Sequence, residues 1–123
     1  MIDIREILQE IELHDASIES VTIKGDGTAE LLLDIDDVWN GANALGIKGI
    51  WFHSVYEVSD FKIDRLNVIG SIEVEVIEGY NKEFVAHSDG EPEHVLMVSC
   101  KLAAGGSLNL ICSGLVELLQ IQS

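Results

Sequence analysis

The chain has 123 residues, of which 47% are hydrophobic, and it carries 22 acidic residues against 7 basic ones, a formal net charge of −15. The apolar fraction is too high for a disordered acidic tail, and the length is that of a single domain covering residues 1–123. Because this charge repels phosphate backbones and anionic membranes, composition argues against binding to nucleic acid or to a membrane and favours a cationic partner.

The cysteines and the N-terminus indicate a reduced compartment. Cys100 and Cys112 lie in strongly apolar segments, and the first residues lack the basic region and the long apolar core of a signal peptide. No apolar run approaches the ~18 residues that would span a bilayer. We therefore expect a cytoplasmic protein with two free, buried thiols.

A short amphipathic helix is predicted over about residues 3–12. Ile4, Ile7 and Ile11 share one helical face, while acidic and amide side chains occupy the other. Asp3 has the position and chemistry of an N-cap. The narrow apolar stripe predicts that this helix docks on a sheet.

A β-hairpin is predicted next, with residues 24–28 as its turn. Apolar residues alternate on both sides of this glycine-rich segment, and Ile23 should lie opposite Ala29. The apolar parity changes within the first strand, so a bulge near Glu19 and Ser20 is needed to keep the apolar groups inward.

The middle of the chain is rich in aromatic and β-branched residues. Residues 50–58 and 61–63 predict either one bent strand or two short strands, broken near Ser59 and Asp60. Trp51, inside this apolar run, is expected in the core.

A clearly alternating strand is predicted at residues 72–76, and a second hairpin follows at residues 96–112. If residues 103–107 form its loop, Cys100 faces Leu110 and the two thiols are too far apart for a disulfide.

The last apolar segment, residues 115–121, suits a strand or a terminal helical turn, and the strand is preferred because the preceding half is sheet. Long connections are predicted at 36–46 and 87–93. Together these elements predict a mainly β fold: an antiparallel sheet, in a sandwich or a partly open barrel of about six to eight strands, with one short N-terminal α-helix.

No catalytic or cofactor motif is present, so we expect no cofactor and favour a protein that is not an enzyme. His87 and His94, which flank one polar loop, are the best metal pair among the four histidines, but they lack the spacing of an established metal motif. A small metal-binding protein or a hydrolase using histidine and carboxylate groups is the alternative. The His14-Asp15 doublet is expected to cap the turn between helix and strand.

A partner-binding surface is predicted on the acidic strand of the first hairpin. Glu30, Asp34, Asp36 and Asp37 should face solvent there, and Trp39 follows as a candidate interface anchor. Such a surface suits a basic protein; because the acidic residues are spread through the strands, a solvated, highly soluble surface without a specific partner is the alternative. A structural subunit whose sheet edge pairs in a homodimer is a further alternative.

Four features of the chain also resemble a known group of proteins. They are Leu13-His14-Asp15-Ala16 at the start of a strand, an acidic strand ending in Asp36-Asp37-x-Trp39, the segment Trp51-Phe52-His53-Ser54-Val55-Tyr56, and a late Gly105-Gly106 followed by Ser113-Gly114. In this layout the chain resembles small bacterial β-proteins of the polymorphic-toxin immunity type. The resemblance implies a non-catalytic binding protein and carries no active site.

Overall fold

The computed structural model describes residues 2–35, 46–62, 67–78 and 95–120. Within these ranges one helix and nine strands are present, and all but the first strand are six to nine residues long. In chain order they are β1 (Ile2–Asp3), α1 (Ile4–Glu10), β2 (Ser17–Ile23), β3 (Ala29–Asp34), β4 (Ile47–Phe52), β5 (Val55–Lys62), β6 (Ile69–Ile77), β7 (Val95–Leu102), β8 (Ser107–Cys112) and β9 (Leu115–Gln120).

The strands form two antiparallel sheets. The five-stranded sheet has the order β1-β9-β4-β3-β2, and the four-stranded sheet has the order β5-β8-β7-β6. The predicted mainly β fold with one short helix is thereby confirmed. In the described part of the chain the two sheets do not close into a full barrel. They are joined at one edge, where Ser17 of β2 forms an antiparallel bridge with Val68, the residue before β6.

A two-stranded ribbon crosses from one sheet to the other. β4 pairs with β9 in the five-stranded sheet, and β5 pairs with β8 in the four-stranded sheet. The crossing lies at His53 and Ser54, where His53 N–H donates to the Leu115 carbonyl and the Ser54 carbonyl accepts from Ser113 N–H. The chain changes sheets here, six residues before the predicted irregularity near Ser59 and Asp60 and opposite the corner between β8 and β9. At the predicted place β5 continues as one strand, and a register shift between Ser59 and Lys62 matches the bent-strand alternative.

The core lies between the two sheets and under the helix. It is mainly apolar, with Ser113 as a buried polar residue, and it contains a small void of about 20 Å³, room for about one water molecule. Its buried apolar residues are Ile4, Ile7, Ile11, Leu13, Ala16, Ile18, Ala29, Leu31, Leu33, Ile35, Ile50, Phe52, Ile69, Leu96, Val98, Cys100, Leu102, Leu108, Leu110, Cys112 and Val116.

Helix α1 spans Ile4–Glu10, slightly shorter than predicted. Asp3 is its N-cap, as expected: its carboxylate accepts from Arg5 N–H at 2.8 Å and also forms an ion pair with the Arg5 guanidinium at 2.8 Å. The helix ends because Ile11 adopts an extended conformation, which still directs its side chain into the core. No helix in the described ranges is long and apolar enough to cross a membrane.

The first hairpin has the predicted register. Ile23 pairs with Ala29, and a register shift between Ile18 and Ser20 marks the predicted bulge. Inside the turn, the Thr28 hydroxyl and N–H donate to the Asp26 carboxylate at 2.7 and 3.0 Å, which lowers the pKa of Asp26. This Asx-type turn closes the loop locally, and the Gly27 carbonyl also accepts a hydrogen bond from Val55 N–H at 2.6 Å.

The second hairpin has a different register from the predicted one. Cys100 pairs with Leu108 and not with Leu110, since the turn is shorter than the five residues assumed. Gly105 has a φ of 101°, and this left-handed conformation lets the turn close between Leu102 and Gly106, whose carbonyl accepts from Leu102 N–H at 2.9 Å. Both thiols are nevertheless free and buried, as expected.

The C-terminal segment is a strand, β9, as preferred from the sequence. It begins after Gly114, whose φ is 82°. The two predicted long connections lie outside the described residues, except for Gly46.

Candidate functional site

The two described residues of the predicted partner surface face outward on β3. Asp34 is exposed at the end of the strand, and Glu30 is partly exposed nearer the hairpin turn. The Lys24 Nζ atom lies 3.3 Å from a Glu30 carboxylate oxygen, in a solvent-exposed ion pair. Such exposed pairs contribute about 0–1 kcal/mol, so this contact leaves the Glu30 carboxylate available for exchange with another cation. Asp36, Asp37 and Trp39 lie outside the described residues.

Trp51 is not a core residue, contrary to the expectation. It lies on the outer face of β4 between the buried Ile50 and Phe52, and it is partly exposed. Its partners across the strands are Glu30 on β3 and Glu117 on β9. Residues directly opposite in antiparallel strands share a face, so an indole side chain stands between two carboxylates.

Sequence reasoning missed both Trp51 and Glu117 as surface residues. The sequence signal that could have placed Trp51 at the surface is strand alternation: its neighbours Ile50 and Phe52 are both buried, so Trp51 points to the opposite face. The approach of Glu117 had no local signal, because β9 reaches β4 only through the strand order of the sheet.

The His14-Asp15 doublet lies at the turn between α1 and β2. The Glu12 carboxylate accepts from His14 N–H at 2.9 Å, while His14 Nδ1 and Asp15 Oδ2 lie 3.3 Å apart in an exposed contact. Asp15 has a φ of 70°, a left-handed conformation that aspartate tolerates better than most residues. The polar side chains here belong to a tight turn.

Two open grooves flank helix α1. One, of about 430 Å³, lies between the end of the helix and β6 and includes Glu12 and His14 beside apolar Leu8 and Ile72. The other, of about 530 Å³, lies between the helix and the β4–β9 pair.

The described residues contain no group of three or more histidine, cysteine or carboxylate side chains placed to hold a metal ion. His87 and His94, the candidate metal pair, lie outside these ranges. Burial raises the pKa of both thiols to about 11, so at neutral pH they are protonated and only weakly nucleophilic.

Comparison with protein-family models, with curated proteins and with solved structures found no significant match to this chain. Its functional surfaces therefore have to be inferred from its own geometry.

Proposed function

We propose that this chain is a non-catalytic cytoplasmic binding module whose acidic surface binds a basic protein. The observation that carries the proposal is the charge balance: 22 acidic residues against 7 basic ones in a single small domain. In the described strands these acids face solvent while the interior is apolar. Exposed or partly exposed acidic residues of the strands are Asp3, Glu19, Glu30, Asp34, Glu57, Glu73, Glu75 and Glu117.

Such a surface favours association with a cationic protein in two ways. Long-range attraction raises the rate of encounter, and like-charge repulsion disfavours acidic proteins, nucleic acids and anionic membranes. Both effects weaken as salt screens the charges, with a Debye length of about 10 Å at 0.1 M. Salt sensitivity is therefore the signature of this mode of binding.

An immunity-like role, neutralising a basic toxin, is the specific form of this proposal. It is supported by the resemblance of the chain's layout to the polymorphic-toxin immunity type. Binding of a toxin by a non-catalytic domain requires no cofactor, and it needs a large complementary surface, which the outer faces of two sheets offer.

Affinity capture from native lysate, with washes at about 50 mM and about 500 mM salt, tests the proposal. We expect a basic protein that is retained only at low salt and that binds the purified chain at least about tenfold more weakly at high salt in calorimetry. A toxin partner is further expected to lose its effect on growth when co-expressed with this chain. The absence of any salt-sensitive basic partner would contradict the proposal.

A further inference from the structure

One row of side chains crosses the outer face of the five-stranded sheet. In register across the strands are Thr22, Glu30, Trp51 and Glu117, from β2, β3, β4 and β9. With neighbouring strands about 4.8 Å apart, the two carboxylates flank the indole on both sides. Lys24 reaches Glu30 from the hairpin edge, with its Nζ atom 3.3 Å from a carboxylate oxygen.

The neighbouring row provides a shallow apolar floor. Gly49 lies between Leu32 and Leu119, both partly exposed. A Cβ atom at position 49 would come within 3.2 Å of Leu32 Cδ2, which shows that the Leu32 side chain covers the glycine. The surface beside the indole is therefore apolar and shallow, because glycine has no side chain to project from it.

His53 contacts the Trp51 indole on the side away from Gly49. Its ring meets Trp51 edge-on, with ring centroids 5.4 Å apart and an interplanar angle of 84°. This contact restrains the orientation of the indole. A restrained aromatic ring loses less conformational entropy on binding than a free one.

We propose that this face, formed by Glu30, Trp51, Glu117, Leu32 and Leu119, docks an arginine or lysine side chain of the basic partner; the inference rests on the proposed function. The cation stacks on the indole, as tryptophan is the best aromatic partner for a cation. Its charge is paired by the two carboxylates, and the aliphatic part of the side chain covers the leucines.

Charge selects this occupant over a second copy of the chain. Self-association through this face would place Glu30 and Glu117 of two molecules together and would bring two net charges of −15 into contact. An acidic or phosphorylated partner would meet the same carboxylates. A cationic segment is the complementary ligand.

The probe is a ten-residue peptide of glycine and serine that contains two arginines. Its binding to the chain is monitored at low salt by two-dimensional NMR of the protein's N–H groups. A peptide with citrulline in place of arginine keeps the shape without the charge. We expect shifts at the Trp51 indole N–H and at amides of β3, β4 and β9 with the arginine peptide alone. The Trp39→Phe variant assigns the indole signal.

Charge-matched variants separate the site from the overall charge. The pair Glu30→Gln/Glu117→Gln should weaken peptide binding about tenfold, because both carboxylates beside the indole are lost. The control pair Glu73→Gln/Glu75→Gln removes the same two charges from the outer face of β6 and should weaken it less than about twofold. Trp51→Leu should weaken it about fivefold. Thermal melting verifies that each variant folds.

Equal weakening by the two charge pairs would overturn the docking face while leaving the proposed function standing, since net charge would then explain binding. Absence of peptide binding by the unmodified chain would also overturn the docking face. The proposed function is decided separately, by the salt-sensitive capture of a basic partner. Light scattering could also detect a dimer that dissociates in the Trp51→Leu variant. That result would show that the face is a self-interface and would overturn the inference.

Discussion

At the scale of single residues, Cys100 and Cys112 illustrate how packing controls chemistry. Burial raises the pKa of each thiol to about 11 from an ordinary value of 9.0, and a nearby charge on Asp3 adds to the effect at Cys112 while the Gly114 N–H opposes it. Both thiols are therefore protonated in the folded chain under conditions where the unfolded chain begins to lose these protons.

The free energy of unfolding should accordingly fall as pH rises from about 9 toward about 11. Below pH 9 both states hold the thiol protons and no stability is lost. Above it the unfolded state binds fewer protons, which favours unfolding by up to roughly 2 kcal/mol for each thiol. Urea denaturation at about pH 8 and about pH 10.5 measures the change. The Cys100→Ala/Cys112→Ala variant is the control, and an equally steep fall in it would contradict the assignment to the thiols.

At the scale of the elements, the corner between β8 and β9 depends on Gly114. Its φ of 82° is unfavourable for residues with a side chain, and a Cβ atom there would collide with Leu96 Cδ1 and approach Ile4 Cγ2 to 3.8 Å. Leu96 and Ile4 are both fully buried core residues. The glycine thus lets the ribbon pass from one sheet to the other directly against the core.

Gly114→Ala should destabilise the fold by about 2 kcal/mol or more, through backbone strain and overpacking together. Chemical denaturation measures this loss. Gly25→Ala is the matched control, since a Cβ atom at that exposed turn position meets nothing within 4 Å; it should change stability by less than about 0.5 kcal/mol. Similar losses in the two variants would show that the corner is not the sensitive point.

At the scale of the whole molecule, the net charge of −15 opposes compaction. Because salt screens this repulsion, we expect the melting temperature to rise by a few degrees between about 10 mM and about 300 mM sodium chloride. Glu73→Gln/Glu75→Gln should make the rise smaller. A melting temperature that is constant or falls with salt would show that repulsion among the surface carboxylates is not a significant cost of folding.

Local alternation of apolar and polar residues was enough to predict the mainly β fold, the N-terminal helix and the first hairpin with its bulge. Ile18 is buried and Val21 packs against the core, so the change of parity between them requires the shift between Ile18 and Ser20. Ile23, which has the same parity as Val21, is nevertheless 49% exposed near the turn. The same parity correctly placed Glu30 and Asp34 outside. These features depend on neighbours that are close in the chain.

Only the tertiary structure decided where the chain passes between sheets, how the second hairpin is registered and which residues meet at the surface. In the segment from Ile50 to Val58 the polar pair His53-Ser54 is too short a signal to predict a change of sheet. The crossing there follows from pairing with β9 on one side and β8 on the other, more than fifty residues later. For the same reason Trp51 and Glu117 become neighbours through strand order. Contacts between distant segments depend on how the whole core is packed, and no local pattern encodes them.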